Sequence, residues 1–294
     1  MITTKWIDID KGDADNPNYR ARLVGREIKT DDRPDLFAAT PPLESLRYIV
    51  SKCASNQVGS QRYCILNSDI KRAYFYAKAV RPVFIEILVE DRQSGDKDMV
   101  GMLNLSLYGT RDAAQNLQNE YTGFMVALGF KVGRTSPCNF YYPRLDITCI
   151  VHGDDFTSFG PESAIEWFQK KLEAKYESKH SILGPGTKHE KTIRVLNRVL
   201  SWTSEGIIYE ADQRHADIVV EELGFKNSKL VSTPGFKEDV DRMLQDVGQP
   251  LGPTESTMYR ALAARLNYLA LDRPDIQYAT KEVARHMAIP TTGN

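Results

Sequence analysis

Apolar positions along the chain switch between a period of two and a period near 3.6, and the switches mark its elements. Lys5–Asp10 and Tyr19–Val24 read as two short strands joined by a polar turn. Leu43, Leu46, Ile49, Val50 and Cys53 fall at helical spacing behind Pro41-Pro42, where proline suits a first turn. An apolar strand then runs from Arg62 into Asp69, and a second covers Val83–Val89 before a charged surface loop at Glu90–Asp98. Ala113, Leu117, Tyr121, Phe124 and Leu128 repeat as one helix face, with Gly129 placed to cap its end. Cys138–Tyr142 reads as a strand that pairs, across Arg144-Leu-Asp, with the strand opening at Ile147. Ile147, Cys149 and Val151 share a face of that strand, which turns at Gly153-Asp154-Asp155 into a hairpin. Ile165, Phe168, Leu172 and Tyr176 mark a helix starting near Pro161-Glu162.

The order strand, strand, helix, strand, hairpin, helix predicts an α+β fold, an antiparallel sheet with helices on one face. Gly184-Pro-Gly186 looks like a hinge. Beyond it come a hairpin over Arg194–Trp202 and Gly206–Glu210, a loop-rich stretch over Pro234–Thr254, and helices near 212–224, 255–272 and 275–288. Met258, Leu262, Leu266 and Leu269 form a core stripe on the middle helix, so the last hundred or so residues read as a mainly helical lobe.

A length of 294 residues suggests about two domains, and 41% apolar with 26% charged residues is enough for a real core. A formal net charge of −1 announces no nucleic-acid binder, although a local basic groove would suffice for one. Cys53, Cys64, Cys138 and Cys149 lie far apart with no C-x-x-C pair, which argues against zinc and for a reducing compartment. No signal peptide and no membrane-length apolar run is visible, so the expected location is intracellular, cytoplasm or nucleus, with no membrane partner. No phosphate-binding P-loop, nucleophile elbow or H-x-x-x-H spacing occurs.

The remaining chemistry is carboxylate chemistry. Asp69 ends one strand and Asp154 stands at a hairpin tip, where neighbouring strands would bring them together. Two Mg²⁺ ions about 3.5–4 Å apart can clamp both oxygens of an in-line phosphoryl transfer, and Mg²⁺ prefers hard oxygen ligands. Since adjacent side chains of an extended chain point apart, Asp154 is expected to converge with Asp69 and Asp155 to be peripheral. Tyr74 reads equally well as an aromatic wall for a sugar or as core, and Phe75 beside it reads as core. Arg20 and Arg22 share a strand face, read as solvated or as a phosphate clamp. The run Lys170, Lys171, Lys175, Lys179, Lys188 and Lys191 is interleaved with glutamates and reads as a solvated face.

Taken in order, these segments resemble the reverse transcriptase of copia-type LTR retrotransposons. The resemblance rests on Lys5-Trp6, Tyr19–Val24, Leu66-Asn-Ser-Asp69-Ile-Lys-Arg-Ala-Tyr-Phe75, Ser106-Leu-Tyr-Gly109, Val151-His-Gly-Asp-Asp155, Val231-Ser-Thr-Pro234, Met258–Leu262 and Tyr268–Ile276. It implies a right-hand polymerase: fingers over 1–66 with part of 76–105, a palm over 67–186, and a thumb or connection region over 187–294. It also implies template-directed DNA synthesis from dNTPs on a primed RNA or DNA template, with two Mg²⁺ ions or Mn²⁺ in their place. Asp69, Asp154 and Asp155 would be catalytic, and the same three with Ile70 would hold metal. Arg20, Arg22, Ala73 and Tyr74 would meet the dNTP, Tyr74 at a gate that excludes a ribose 2′-hydroxyl. Tyr108, Gly109, Gln115 and Lys179 would meet template or primer.

The chain departs from the family at Asp112, Ala114, Gln115 and Leu117, where Gln, Pro, Arg and Trp are usual, and at His152-Gly153, where Tyr-Val is usual. An acidic Asp112 near phosphates would repel them. The primer-supporting Leu-Gly appears as Leu196-Asn197, and the chain stops at Asn294, about where an RNase H domain would begin, as a piece of a longer polyprotein would. Two other readings are a decayed retroelement copy that keeps the fold, and a metal-dependent phosphohydrolase.

Overall fold

The computed structural model describes residues 1–13, 15–33, 36–57, 62–96, 99–229, 231, 233 and 248–293. Ser232 and Pro234 of one family phrase, most of the expected loop at 234–254, and Lys97 and Asp98 lie outside them. The chain forms two compact units, Met1–Ile193 and Arg194–Asn294. A boundary at 66/67 would cut through the middle of a strand, so the regions 1–66 and 67–186 are not separate units, and residues 187–193 belong with the first.

In the first unit β1 (Thr3–Asp10) and β2 (Tyr19–Arg26) form an antiparallel hairpin. Helix α1 (Leu43–Ser55) leads to β3 (Tyr63–Ile70), followed by the short antiparallel pair β4 (Phe84–Glu86) and β5 (Val100–Met102). The strand expected to reach Val89 stops at Glu86, because its partner β5 is only three residues long. Helix α2 (Ala113–Leu128) precedes β6 (Lys131–Val132), β7 (Asn139–Tyr142), β8 (Ile147–His152) and β9 (Asp155–Pro161), and α3 (Glu162–Lys175) leads into β10 (Ser178–Leu183). Gly129, at φ 104°, closes α2 in the left-handed conformation expected of it. Six of these strands make one sheet in the order β10-β3-β9-β8-β7-β6, with every neighbour antiparallel.

The helices cover both faces of this sheet, which corrects the one-sided arrangement expected from sequence. Leu66, Phe140, Cys149, Val151 and Phe156 point into a core shared with Leu117, Tyr121 and Met125 of α2 and with Ile165, Phe168 and Leu172 of α3. The opposite pleat carries Asn139 and Ile150, which are cross-strand partners, and there Asn139 Nδ2 donates to Ser45 Oγ of α1 at 2.9 Å. The physical reason is legible in the strands: β3, β8 and β9 each carry runs of three or more consecutive buried positions, hence burial on both pleats, so a single layer of helices would leave one apolar face wet. Fully burying large apolar side chains such as Phe140, Phe156 and Phe168 contributes about 1.5–3 kcal/mol each.

The β1–β2 hairpin is fixed to the turn before α2. Gly25 N–H donates to the Tyr108 carbonyl at 2.7 Å, and Gly109 holds φ +84° with its α-carbon against Gly25. A Cβ at Gly109 would lie 2.0 Å from the Gly25 carbonyl oxygen. Beside this contact Arg81 bridges Glu27 and Asp112, with Arg81 Nη2 2.5 Å from Glu27 Oε2 and 3.0 Å from Asp112 Oδ1.

The second unit holds β12 (Arg198–Trp202) and β13 (Ile207–Glu210), paired in the expected hairpin, with β11 (Thr192–Val195) beside β12 at the unit boundary. Its helices among the described residues are α4 (Gln213–Glu222), α5 (Pro253–Ala270) and α6 (Gln277–Arg285). Leu262 and Leu269 of the expected α5 stripe are buried, but Met258 is 43% exposed, one turn too early to reach the core. Arg198 and Asp272, both almost fully buried, pair at 2.9 Å, and Tyr209 Oη donates to Asp272 Oδ1 at 2.8 Å. Leu196-Asn197, between β11 and β12, has positive φ at both residues (48° and 67°), the geometry of a two-residue type I′ turn.

Two consequences are testable by urea unfolding. Gly109→Ala combines a left-handed backbone with a backbone clash and is expected to cost more than about 2 kcal/mol. Leu196→Asn is expected to stabilise by about 1 kcal/mol, because asparagine tolerates the left-handed region that leucine resists.

Candidate active site

The tip of the β8–β9 hairpin is set by Gly153. It holds φ +65°, whereas Asp154 does not share the positive sign, the pattern of a type II′ turn with glycine first. A Cβ at Gly153 would meet nothing within 4 Å, so the backbone angle, not crowding, calls for glycine. The tip folds over the end of β3, where Ile70 N–H donates to the Asp154 carbonyl at 3.0 Å. β3 then leaves the sheet through Lys71 and Arg72. Lys71 pairs with Glu177 at 2.7 Å, Arg72 pairs with the same carboxylate, and Arg72 takes φ 54° to start the 3₁₀ turn Ala73–Tyr76.

Register now decides which side chains meet. Asp155 lies directly opposite Asp69 across β3–β9, Lys179 opposite Asp69 across β10–β3, and His152 opposite Asp155 across β8–β9. Cross-strand partners share a face with Cβ atoms about 4.5–5.5 Å apart. The result is a row across four strands: Lys179, Asp69, Asp155, His152. The expectation that Asp155 points away from Asp69 is therefore corrected, because the two-residue turn interrupts the strand alternation between Asp154 and Asp155. Asp154 adds its carboxylate from the tip.

The electrostatics bear this grouping out. Burial pushes the Asp155 carboxyl up to about 6, and the charges of Asp154 and Asp69 push the same way. Asp154 is also raised, first by crowding from surrounding protein and then by Asp69, against the pull of its own backbone N–H, Arg22 and His152. Carboxylates that raise one another are short of positive charge.

An aromatic wall stands beside them. Tyr74 and Tyr108 meet edge to face at 4.6 Å between centroids, and both phenols are held above their usual range by burial first and by the Asp154 charge next. Arg22 lies over the Tyr108 ring at 5.5 Å and acts on Asp154, whereas Arg20, two residues earlier on the same strand face, is exposed farther along the hairpin. Tyr74 is half-buried against the core and Phe75 is 41% exposed, the reverse of the core role expected for Phe75. Ala73 and Ile70 are buried; the Ile70 side chain is in the core, and its backbone holds the tip. Gly109 serves the close approach to β2, Gln115 is partly buried on the first turn of α2, and Lys179 is exposed.

Asp112 does not face solvent as a repulsive charge. It is buried, paired with Arg81, and accepts from Asn116 Nδ2 at 3.1 Å. The Glu27–Arg81–Asp112 network that locks β2 beside Tyr108 gave no signal in the sequence, since its members are 31 and 54 residues apart along the chain.

The raised Asp155 carboxyl has a pH signature. Its folded value, about 6, lies above the usual 3.8, so its contribution to stability is complete below about pH 3.8 and is lost as pH rises through 6. Asp155→Asn is therefore expected to be more stable than wild type at pH 7–8, by about 1–2 kcal/mol after solvent screening, with the gap closing near pH 4. Thermal melts across that range, without divalent cations, read the difference.

Among the described residues no helix is long and apolar enough to cross a membrane. No family model matches the sequence. The chain is 26% identical, over 98% of its length, to the retrovirus-related Pol polyprotein from transposon TNT 1-94 of Nicotiana tabacum, and covers 22% of that protein. It is 22% identical, over 99% of its length, to those from transposons RE2 and RE1 of Arabidopsis thaliana, covering 19% of each. The chain thus spans about a fifth of the curated relatives it matches. Its similarity is to retroelement Pol sequence of copia type, as its motifs indicated. A telomerase from Candida albicans, in complex with a TWJ fragment of telomeric RNA, overlaps at a TM-score of 0.40 with 10% identity, too loosely to bear on the reading.

Proposed function

We propose that this chain is the reverse-transcriptase region of a copia-type retroelement Pol protein, carrying out template-directed DNA synthesis from dNTPs. The observation that carries the reading is the row at the ends of β3 and β9, where Asp69 and Asp155 are cross-strand partners and Asp154 closes over them from the tip. On this reading the six-stranded sheet with α2 and α3 is the palm, the β1–β2 hairpin belongs to the fingers, and the second unit is the thumb or connection region.

The donor set fits a hard divalent cation. It is built of carboxylate oxygens, and the carboxyls of Asp154 and Asp155 are raised first by burial and then by their neighbours' charge, as expected where a counter-cation is called for. Mg²⁺, or Mn²⁺ in its place, would be held by Asp69, Asp154 and Asp155, and when bound supplies charge neutralisation at the attacking and leaving oxygens of an in-line phosphoryl transfer.

The chain's own residues do the rest. Arg22 offers a guanidinium beside the cluster, suited to the phosphates of a dNTP. The Tyr74 ring, buttressed by Tyr108, provides a rigid wall where a sugar would lie against the carboxylates. Lys179, on the other flank of Asp69, offers a cation to the primer or template backbone. Asp112 no longer argues for a decayed copy, because its charge is neutralised inside the protein.

Primer extension on an RNA template with Mg²⁺ tests the reading. Wild type is expected to incorporate dNTPs, and Asp154→Asn or Asp69→Asn to lower the rate by about 10²–10³-fold or more, the scale of losing one transition-state stabiliser. Wild type inert with both Mg²⁺ and Mn²⁺, or incorporation that survives Asp154→Asn, would overturn it.

A further inference from the structure

At the other end of β3 a second group of donors converges. Cys64 is the second residue of β3, Glu162 opens α3, and His189 sits in the loop after β10. Cys64 Sγ, one nitrogen of His189 and a Glu162 oxygen all lie within 4.8 Å of one another, the only such trio of potential metal donors among the described residues. Sγ is 3.7 Å from His189 Nδ1, and Glu162 Oε1 is 3.3 Å from Nε2.

Several features mark the group as built. The His189 side chain is 1% exposed, yet its Nε2 makes no hydrogen bond among the described residues. The loop around it is held open for the ring: a Cβ at Gly184 would lie 2.5 Å from Nδ1 and 2.7 Å from Sγ, and one at Gly186 would lie 3.0 Å from the ring. Lys191 Nζ fixes that loop by donating to the Gly184 and Gly186 carbonyls at 2.9 and 2.8 Å. Burial keeps the imidazole below its usual range, hence neutral; Nδ1, the nitrogen facing Sγ, accepts from Gly186 N–H at 3.1 Å, a bond the ion would replace. Burial also pushes the Cys64 thiol up to about 12, so without a cation this is not a thiolate nucleophile.

We infer that Cys64, His189 and Glu162 form a binding site for a borderline divalent transition-metal ion of the Zn²⁺ class, distinct from the aspartate row. Thiol, imidazole and carboxylate together suit Zn²⁺ and not Mg²⁺. A tetrahedral ion with Zn–S about 2.3 Å and Zn–N about 2.0–2.1 Å holds sulfur and nitrogen about 3.5–3.6 Å apart, close to the separation present. Sγ and the carboxylate face different ring nitrogens. The imidazole therefore presents one nitrogen to the ion, and Glu162, 26% exposed at its helix start, leaves its Lys188 pairing to swing its oxygen in. On binding, the sulfur–metal bond forms and the thiol proton leaves to solvent. Water takes the fourth position, toward a cavity of ≈ 290 Å³ bordered by Glu166, His180, Lys188 and Glu190. Among the described residues Lys188, 3.1 Å from Glu162, is the cation that must give way. The ion would join the start of β3, the start of α3 and the loop after β10, about 16 Å from Asp69 by the rise of a strand.

Cobalt substitution tests this on the whole chain. The EDTA-treated protein is titrated with Co²⁺ and its thiolate-to-cobalt charge-transfer absorption followed. One equivalent is expected to produce the band in wild type, Cys138→Ser and Asp154→Asn, and Cys64→Ser to abolish it while circular dichroism stays native. Zn²⁺ at about a 100-fold excess over its Kd is expected to raise the Tm of wild type by about 5 °C or more. Absence of the band in folded wild type, or its survival in Cys64→Ser, overturns the site. Should Cys64→Ser fail to fold, Glu162→Gln decides: Co²⁺ affinity reduced about tenfold with the band retained supports the site, and unchanged affinity overturns it.

Discussion

The register between β3 and β9 is the constraint on which the candidate active site depends. Asp69 faces Asp155 because the whole strand pair is locked from Tyr63–Pro161 to Asp69–Asp155. A slip of one residue would send Phe156 toward solvent and bury an aspartate. The core therefore holds the carboxylates together against their repulsion: Phe156, Leu66 and Ile70 on one pleat fix where Asp69 and Asp155 stand on the other. Site and core are two faces of one pairing.

The same logic explains the surroundings. The row Lys179, Asp69, Asp155, His152 crosses four strands whose order in the chain is tenth, third, ninth and eighth. Groups far apart in sequence become neighbours at about the spacing of adjacent strands. His152 and, from another sheet, Arg22 pull the Asp154 carboxyl down without cancelling the upward push of burial and Asp69. A site held in this unbalanced state lowers the stability of the free protein.

How much of this the sequence revealed depends on range. Elements with a clean period were readable: α2 with its Gly129 cap, α3 from Glu162, and the hairpin that presents Asp154. Local backbone rules also spoke, as at Gly153. What failed needed knowledge of pairing. Asp155 was misplaced because alternation was carried through a two-residue turn. Helices were placed on one face because burial on both sides of a strand looks like a plain apolar run. Asp112 alone suggests a charge that repels phosphates, because nothing local names Arg81 as its partner. Cysteine spacing argued against zinc because it is read along the chain, whereas Cys64 and His189 are 125 residues apart and in contact.

The cysteines have one more consequence. All four in the chain are reduced and buried, and all four lie within Met1–Ile193. An alkylating reagent can reach them only when that unit opens, so the rate of thiol labelling is a clock for its opening alone. Residues 194–294, which carry no sulfhydryl, are silent in the same experiment. The native sequence thus comes with a reporter that separates the motions of one half from the other, with no label introduced.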